Sequence, residues 1–187
     1  MQRFIPHRYQ PDAGFTLLEL IAVIVIAAVL AAIAAPSWVR YVNNQRINAV
    51  QGDMLQTIRQ AQEKAIKERR NITISVPTTA ALPSVTVGTQ TTILGDQDVI
   101  KPNTMTLDVA AYNSAGTSKD DDDAQTLTFD YQGRASVKKG TTNQSLPYVV
   151  TITAKNTNRK KCVMVYNILG STKALTGNVC DNPKASL

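Results

Sequence analysis

Histidine is nearly missing from this chain of 187 residues, and cysteine is scarce. The single histidine is His7, and the two cysteines are Cys162 and Cys180. A serine or cysteine nucleophile in the body of the chain therefore has no imidazole base beside it. No P-loop, Gly-x-Ser-x-Gly or zinc-ligand spacing is present, and no two acids stand out as a hydrolytic pair. No catalytic residue, cofactor or metal site is expected. The cysteines fit no metal pattern. In an exported domain they make a disulfide the expectation, closing a loop worth roughly 3 kcal/mol on a chain-entropy estimate. Aromatic residues make up 5%, so few rings are free to stack on nucleic-acid bases. No fixed-period repeat appears, which argues against a solenoid. Acidic residues are almost absent from residues 134–187, which hold nine Lys/Arg against one acid, a balance of +8. Residues 71–133 stand at −6 and residues 1–70 at +4. A basic third suits an anionic partner, or the acidic face of its own chain.

Charge is scarcest between Phe15 and Ala35, where 19 of 21 residues are apolar and Glu19 is the only ionisable side chain. As a helix that run spans roughly 31 Å, enough to cross a bilayer core. The rest of the chain supports one modest domain. Residues 1–14 are polar and carry Arg3 and Arg8. A cleavable secretory signal has a shorter apolar stretch, with its cleavage site after it. An uncleaved anchor with its basic end in the cytoplasm is the plain alternative. It leaves Glu19 unexplained, because a carboxylate in a membrane-spanning helix is costly unless it has a partner.

The junction Gly14-Phe15-Thr16-Leu17-Leu18-Glu19-Leu20, with the apolar helix behind it, resembles the class III signal of type IV pilins and pseudopilins. The resemblance implies several things. A prepilin peptidase cuts between Gly14 and Phe15, and the new terminus at Phe15 is N-methylated. Glu19 pairs with the terminal ammonium of a neighbouring subunit, since two opposite charges in a dry fibre core are each costly alone. Pro36 matches a family proline at which the helix kinks or melts. The partners implied are the peptidase, other pilins or pseudopilins in a fibre, and an inner-membrane assembly platform. The chain would sit in the inner membrane as a single-pass protein with its soluble part outside.

From Ser37 to Arg70 the pattern is helical. Ile47, Val50, Met54, Ile58, Ala61 and Ala65 form one apolar stripe, with Ser37 as the cap of a helix restarted after the kink. Gly52 weakens the middle, and Lys64, Lys67, Arg69 and Arg70 suit the helix C-terminus. Beyond Arg70 the composition turns to strand formers, with 19 of the 21 threonines. Strands are expected at 72–76, 84–94, 104–110, 126–131, 134–138, 147–154, 161–168 and 172–175. Gln132-Gly133 reads as a tight hairpin turn, and Leu169-Gly170 as another. The expected fold is α+β. A long helix, transmembrane and then amphipathic, packs on an antiparallel β-sheet domain. The segments are a leader (1–14), an assembly helix (15–36), its amphipathic continuation (37–70) and a β-rich head (71–187).

Within the pilin superfamily the head looks most like GspH/FimT-type minor pilins. The stretches Ala61–Ile66, Thr128–Arg134 and Val163–Gly170 carry that likeness. A structural subunit of a type IV pilus or type II secretion pseudopilus is the reading that follows. DNA uptake is the alternative that the family suggests. Some members display arginines just after the glycine of the last hairpin, where this chain has only Lys173. Its other candidate cations are Lys138, Lys139, Lys155, Arg159, Lys160 and Lys161, which could neutralise phosphates without reading bases. A membrane-tethered ligand-binding or enzymatic domain is the third. Lys119-Asp120-Asp121-Asp122-Asp123 lacks the spacing of a calcium loop and reads as a solvated, mobile loop.

Overall fold

The computed structural model describes residues 14–96, 98, 100–112, 119–121, 125–155 and 159–183. The chain forms two compact units, Met1–Tyr41 and Val42–Leu187. A helix, α1, covers Leu17–Glu68 and contributes to both. It runs unbroken through Pro36 and Ser37, so Ser37 does not cap a restarted helix. Thr16 begins the helix instead, its Oγ1 accepting the Glu19 N–H at 3.2 Å. At the far end Arg69 takes a left-handed φ of 51°, and the Arg70 N–H reaches back to the Ala65 carbonyl. That is a Schellman-type stop, which ends α1 at Glu68 and places Arg69 and Arg70 beyond it.

In the second unit the expected stripe is the buried face of α1. Ile47, Val50, Met54, Ile58, Ala61 and Ala65 all join the main core. Against it lie two antiparallel sheets, in keeping with the expected α+β class. The first runs β3-β2-β1-β6-β7-β8, from β1 (Ile72–Ser75), β2 (Ser84–Val87), β3 (Gln90–Ile93), β6 (Gln125–Phe129), β7 (Ala135–Lys139) and β8 (Thr142–Gln144). The second runs β11-β10-β9-β4-β5, from β4 (Met105–Tyr112), β5 (Lys119–Asp121), β9 (Tyr148–Ala154), β10 (Lys160–Val165) and β11 (Thr172–Thr176). The single strand expected over 84–94 is a hairpin, because Gly88 turns the chain between β2 and β3 with φ 63°. The acidic stretch is also corrected. Lys119–Asp121 forms β5 and pairs with Ala110–Tyr112 of β4, so the ladder recruits what was expected to be a mobile loop. Asp122 and Asp123 lie outside the described residues.

Burial explains the composition of each sheet. β6 and β7 alternate buried with more exposed residues, as strands covered on one face do. β9 is buried from Tyr148 to Ile152 without a break, because the middle of the second sheet is covered on both faces. Leu107, Val109, Val163 and Val165 face the main core. On the other face Ala110, Tyr112, Val149, Cys162, Met164 and Cys180 form a second cluster. The disulfide Cys162–Cys180 is present, with Cα atoms 5.7 Å apart, and ties a 3-10 turn at Gly177–Cys180 to β10. The Tyr112 hydroxyl adds a hydrogen bond to the Cys180 carbonyl at 3.2 Å.

Candidate functional site

The cleavage junction expected from the sequence lies in the first unit. Gly14, Phe15 and Thr16 precede the helix, and Glu19 falls in its first turn. Thr16-x-x-Glu19 is the spacing of a capping box, a local signal that sequence reasoning passed over. It gives Glu19 a second fitness for its position, since a carboxylate suits the positive end of a helix dipole. Leu17, Leu18, Leu20, Ile21, Val23, Ile24, Val25, Ile26, Val29, Leu30 and Ile33 are each at least half exposed. Such an apolar surface needs a membrane or another protein to cover it. By length and composition the helix can cross a bilayer. At the end of the run Trp38 and Tyr41 lie with ring centroids 5.9 Å apart. His7 and the other residues before Gly14 lie outside the described residues.

The second unit is tied together by two glutamines that the stripe analysis did not single out. Gln51 Nε2 donates to the carbonyls of Cys162 at 2.8 Å and Leu175 at 2.9 Å, joining α1 to β10 and β11. Three turns later Gln62 Nε2 donates to the carbonyls of Gly133 and Leu169, both at 2.8 Å. Gly133 lies in the β6–β7 turn and Leu169 in the β10–β11 turn, so one amide holds a turn from each sheet. The Ala135 N–H, bonded to the Ile168 carbonyl at 2.8 Å, makes the same link by backbone. Glycine is needed at both turns. A Cβ on Gly170 (φ 76°) would collide with the Gln62 amide and lie 2.8 Å from Phe129 Cε1. A Cβ on Gly133 (φ 78°) would lie 2.8 Å from Ile66 Cδ1. The available signal was positional, because Gln51 and Gln62 each stand four residues after a buried stripe residue.

The β6–β7 turn is longer than expected, since the ladder stops at Phe129–Ala135. Asp130 organises it. Its carboxylate accepts the Gln132 and Arg134 N–H groups at 2.9 Å and the Arg134 guanidinium at 2.8 Å. Desolvation pushes this carboxyl up, but those donors together outweigh it and hold it below its ordinary value. Burial pushes the Tyr148 phenol far above its ordinary value. Its hydroxyl has no hydrogen-bond partner among the described residues.

The candidate nucleic-acid cations are shared between the sheets. Lys138 and Lys139 end β7 of the first sheet. Lys155 and Arg159 flank the β9–β10 connection, and Lys160 and Lys161 open β10, all in the second. Lys173 lies in β11, opposite Met164. The Lys160 ammonium is held by both oxygens of Asp181 at 2.9 Å. Among the described residues no group of three or more His, Cys, Asp or Glu side chains is placed to hold a metal ion.

Comparison with known proteins finds two family models that match the chain. The prokaryotic N-terminal methylation motif matches residues 10–35. The family of the type II transport protein GspH matches residues 52–168. No curated protein and no solved structure gives a significant match. The first match contains the apolar run, and the second, from the middle of α1 to the β10–β11 turn, spans more than half the sequence. The chain belongs to the GspH family of pilin-like type II transport proteins and carries the prepilin-type methylation signal.

Proposed function

We propose that this protein is a structural subunit of a type II secretion pseudopilus or type IV pilus. A prepilin peptidase removes residues 1–14, and Phe15 is then methylated on its new amino group. The processed chain waits in the inner membrane as a single-pass protein, its β-rich unit on the outer side. It enters the fibre through its apolar helix, where Glu19 offers a carboxylate to the ammonium of a neighbour. The work is assembly and not catalysis.

One observation carries this reading. A lone carboxylate stands one turn from the cleavage junction, at the head of a helix whose apolar side chains are exposed all round as far as Ala35. A helix apolar on every side suits a bilayer or a fibre core, and the charge within it calls for an opposite charge supplied from elsewhere. Mass spectrometry of the mature protein tests processing, with a methylated Phe15 terminus expected. An intact Met1 terminus overturns it. Glu19→Ala is expected to leave membrane insertion intact and to remove the protein from purified fibres. Undiminished incorporation overturns the role given to Glu19.

A further inference from the structure

The interval between Glu19 and the first aromatic pair of the helix matches the thickness of a membrane. No charged residue occurs between Glu19 and Arg40, and no tryptophan or tyrosine occurs between Phe15 and Ser37. Trp38, the only tryptophan of the chain, then lies beside Tyr41, with ring centroids 5.9 Å apart and the planes tilted by 37°. The two rings share a helix face, and they are 68% and 55% exposed. At 1.5 Å per residue, Glu19 and Trp38 are about 28 Å apart along the helix, against a hydrocarbon core of about 30 Å.

We propose that Trp38 and Tyr41, with Arg40 between them, form an interfacial anchor that binds the phospholipid headgroup–acyl boundary and sets the depth of the helix. Indole and phenol rings are amphipathic and collect at that boundary, while a guanidinium pairs with lipid phosphate. With the rings fixed at one boundary, the 28 Å spacing puts Glu19 at the opposite boundary, not in the middle of the hydrocarbon. The waiting subunit thus keeps its carboxylate in contact with water and headgroups. Desolvation of Glu19 is deferred until the helix leaves the bilayer for a fibre, where a neighbour's ammonium replaces the water. A protein neighbour could cover the same rings. The bilayer is favoured because the pair follows directly on an apolar run of membrane length and adjoins a cation.

This inference rests on the membrane-anchored reading, and its test separates the two. The full-length chain is reconstituted into vesicles of phosphatidylethanolamine and phosphatidylglycerol. Flotation reports anchoring, and Trp38, as the sole indole, reports its own depth by fluorescence. Phosphatidylcholine labelled with a doxyl quencher near the glycerol backbone is expected to quench strongly. The same label near the acyl terminus is expected to quench weakly, and aqueous iodide to have little access. Flotation with quenching strongest at the acyl terminus, or with full iodide access and no lipid quenching, overturns the anchor and leaves membrane association standing. Failure to float overturns both. A second arm locates Glu19 itself. The native cysteines are joined, so one introduced cysteine supplies the only free thiol. In membranes opened to a charged maleimide on both faces, Glu19→Cys should react at least about tenfold faster than Ala28→Cys, because the thiolate is excluded from hydrocarbon. Equal rates overturn the placement of Glu19 at the boundary.

Discussion

Gln51→Met isolates the contribution of one buried amide to the head. Methionine is similar in length and volume, so the packing of α1 is largely kept while both hydrogen bonds are lost. The carbonyls of Cys162 and Leu175 then face an apolar thioether in a site where Gln51 is only 8% exposed. A buried acceptor left without its donor costs about 1–3 kcal/mol. A carbonyl has a second lone pair and so falls in the lower half of that range, and the thioether regains part of the loss by burying apolar surface. The net expectation is a destabilisation of about 2–3 kcal/mol, or a Tm lower by about 4–12 °C for a unit of this size. Thermal unfolding of the full chain in detergent, followed by circular dichroism, reads this out. Gln62→Met serves as the comparison. Its acceptors are also two carbonyls at 2.8 Å, but they lie near solvent, which can replace the lost donor, so the loss should be less than half as large. If Gln51→Met melts within about 1 °C of the parent, the amide is not what joins the helix to β10 and β11.

Four further outcomes are expected. Tyr148→Phe should leave the urea midpoint unchanged or raise stability by up to about 1 kcal/mol, because it removes a buried hydroxyl with no partner among the described residues; a marked loss would reveal such a partner. Gly170→Ala should lower Tm, through a left-handed φ and a collision with Gln62 and Phe129; relief of that loss when combined with Gln62→Ala would identify the collision as a cause. Replacing both Cys162 and Cys180 by alanine should cost about 3 kcal/mol, and an unchanged melting curve would show that the 3-10 turn docks without its covalent tie. The folded value of Asp130 lies below its ordinary 3.8, so its stabilisation is fully present above the unfolded value and is lost as pH falls through the folded one; Asp130→Asn should flatten that acid limb in a series of melts, and an unaltered limb would refute the turn-capping role.

Much of the fold was legible because its signals are local. The six-residue stripe of α1 lies one or two turns apart along a single segment, and burial confirms every member. Cys162 and Cys180 were legible as a pair because no other cysteine competes. The two-sheet arrangement was not legible, because alternation tells which face of a strand is buried and not which strand it joins. The glutamine bridges were hidden for a related reason. The carbonyls that Gln51 holds are 111 and 124 residues away, and any residue can supply a carbonyl. β5 was misread because like charges in a row argue for solvent, whereas pairing with β4 uses only backbone groups. Of the candidate site, Gly14, Phe15 and Glu19 are proposed from one compact junction, while the Thr16 cap depends on a backbone N–H three residues on, which the sequence does not single out.

One helix here is written in two hydrophobic codes. From Leu20 to Ala35 every residue is apolar, so no face is distinguished, and the surroundings that suit such a surface must be apolar on all sides. From Ile47 to Ala65 the buried apolar residues form one stripe, which fits a surface with a protein core on one side and water on the other. The change between the codes falls in the interval that contains Pro36, Trp38, Arg40 and Tyr41, and the compact second unit begins at Val42. A shift in that interval would alter which surroundings each code meets. Inserting one helical turn of alanine before Trp38 would leave the head's stripe intact yet lengthen the spacing from Glu19 by about 6 Å, beyond the hydrocarbon thickness. The head should then fold with unchanged stability while Trp38 or Glu19 is displaced from its boundary. That separation of effects follows only if the two codes answer to different solvents.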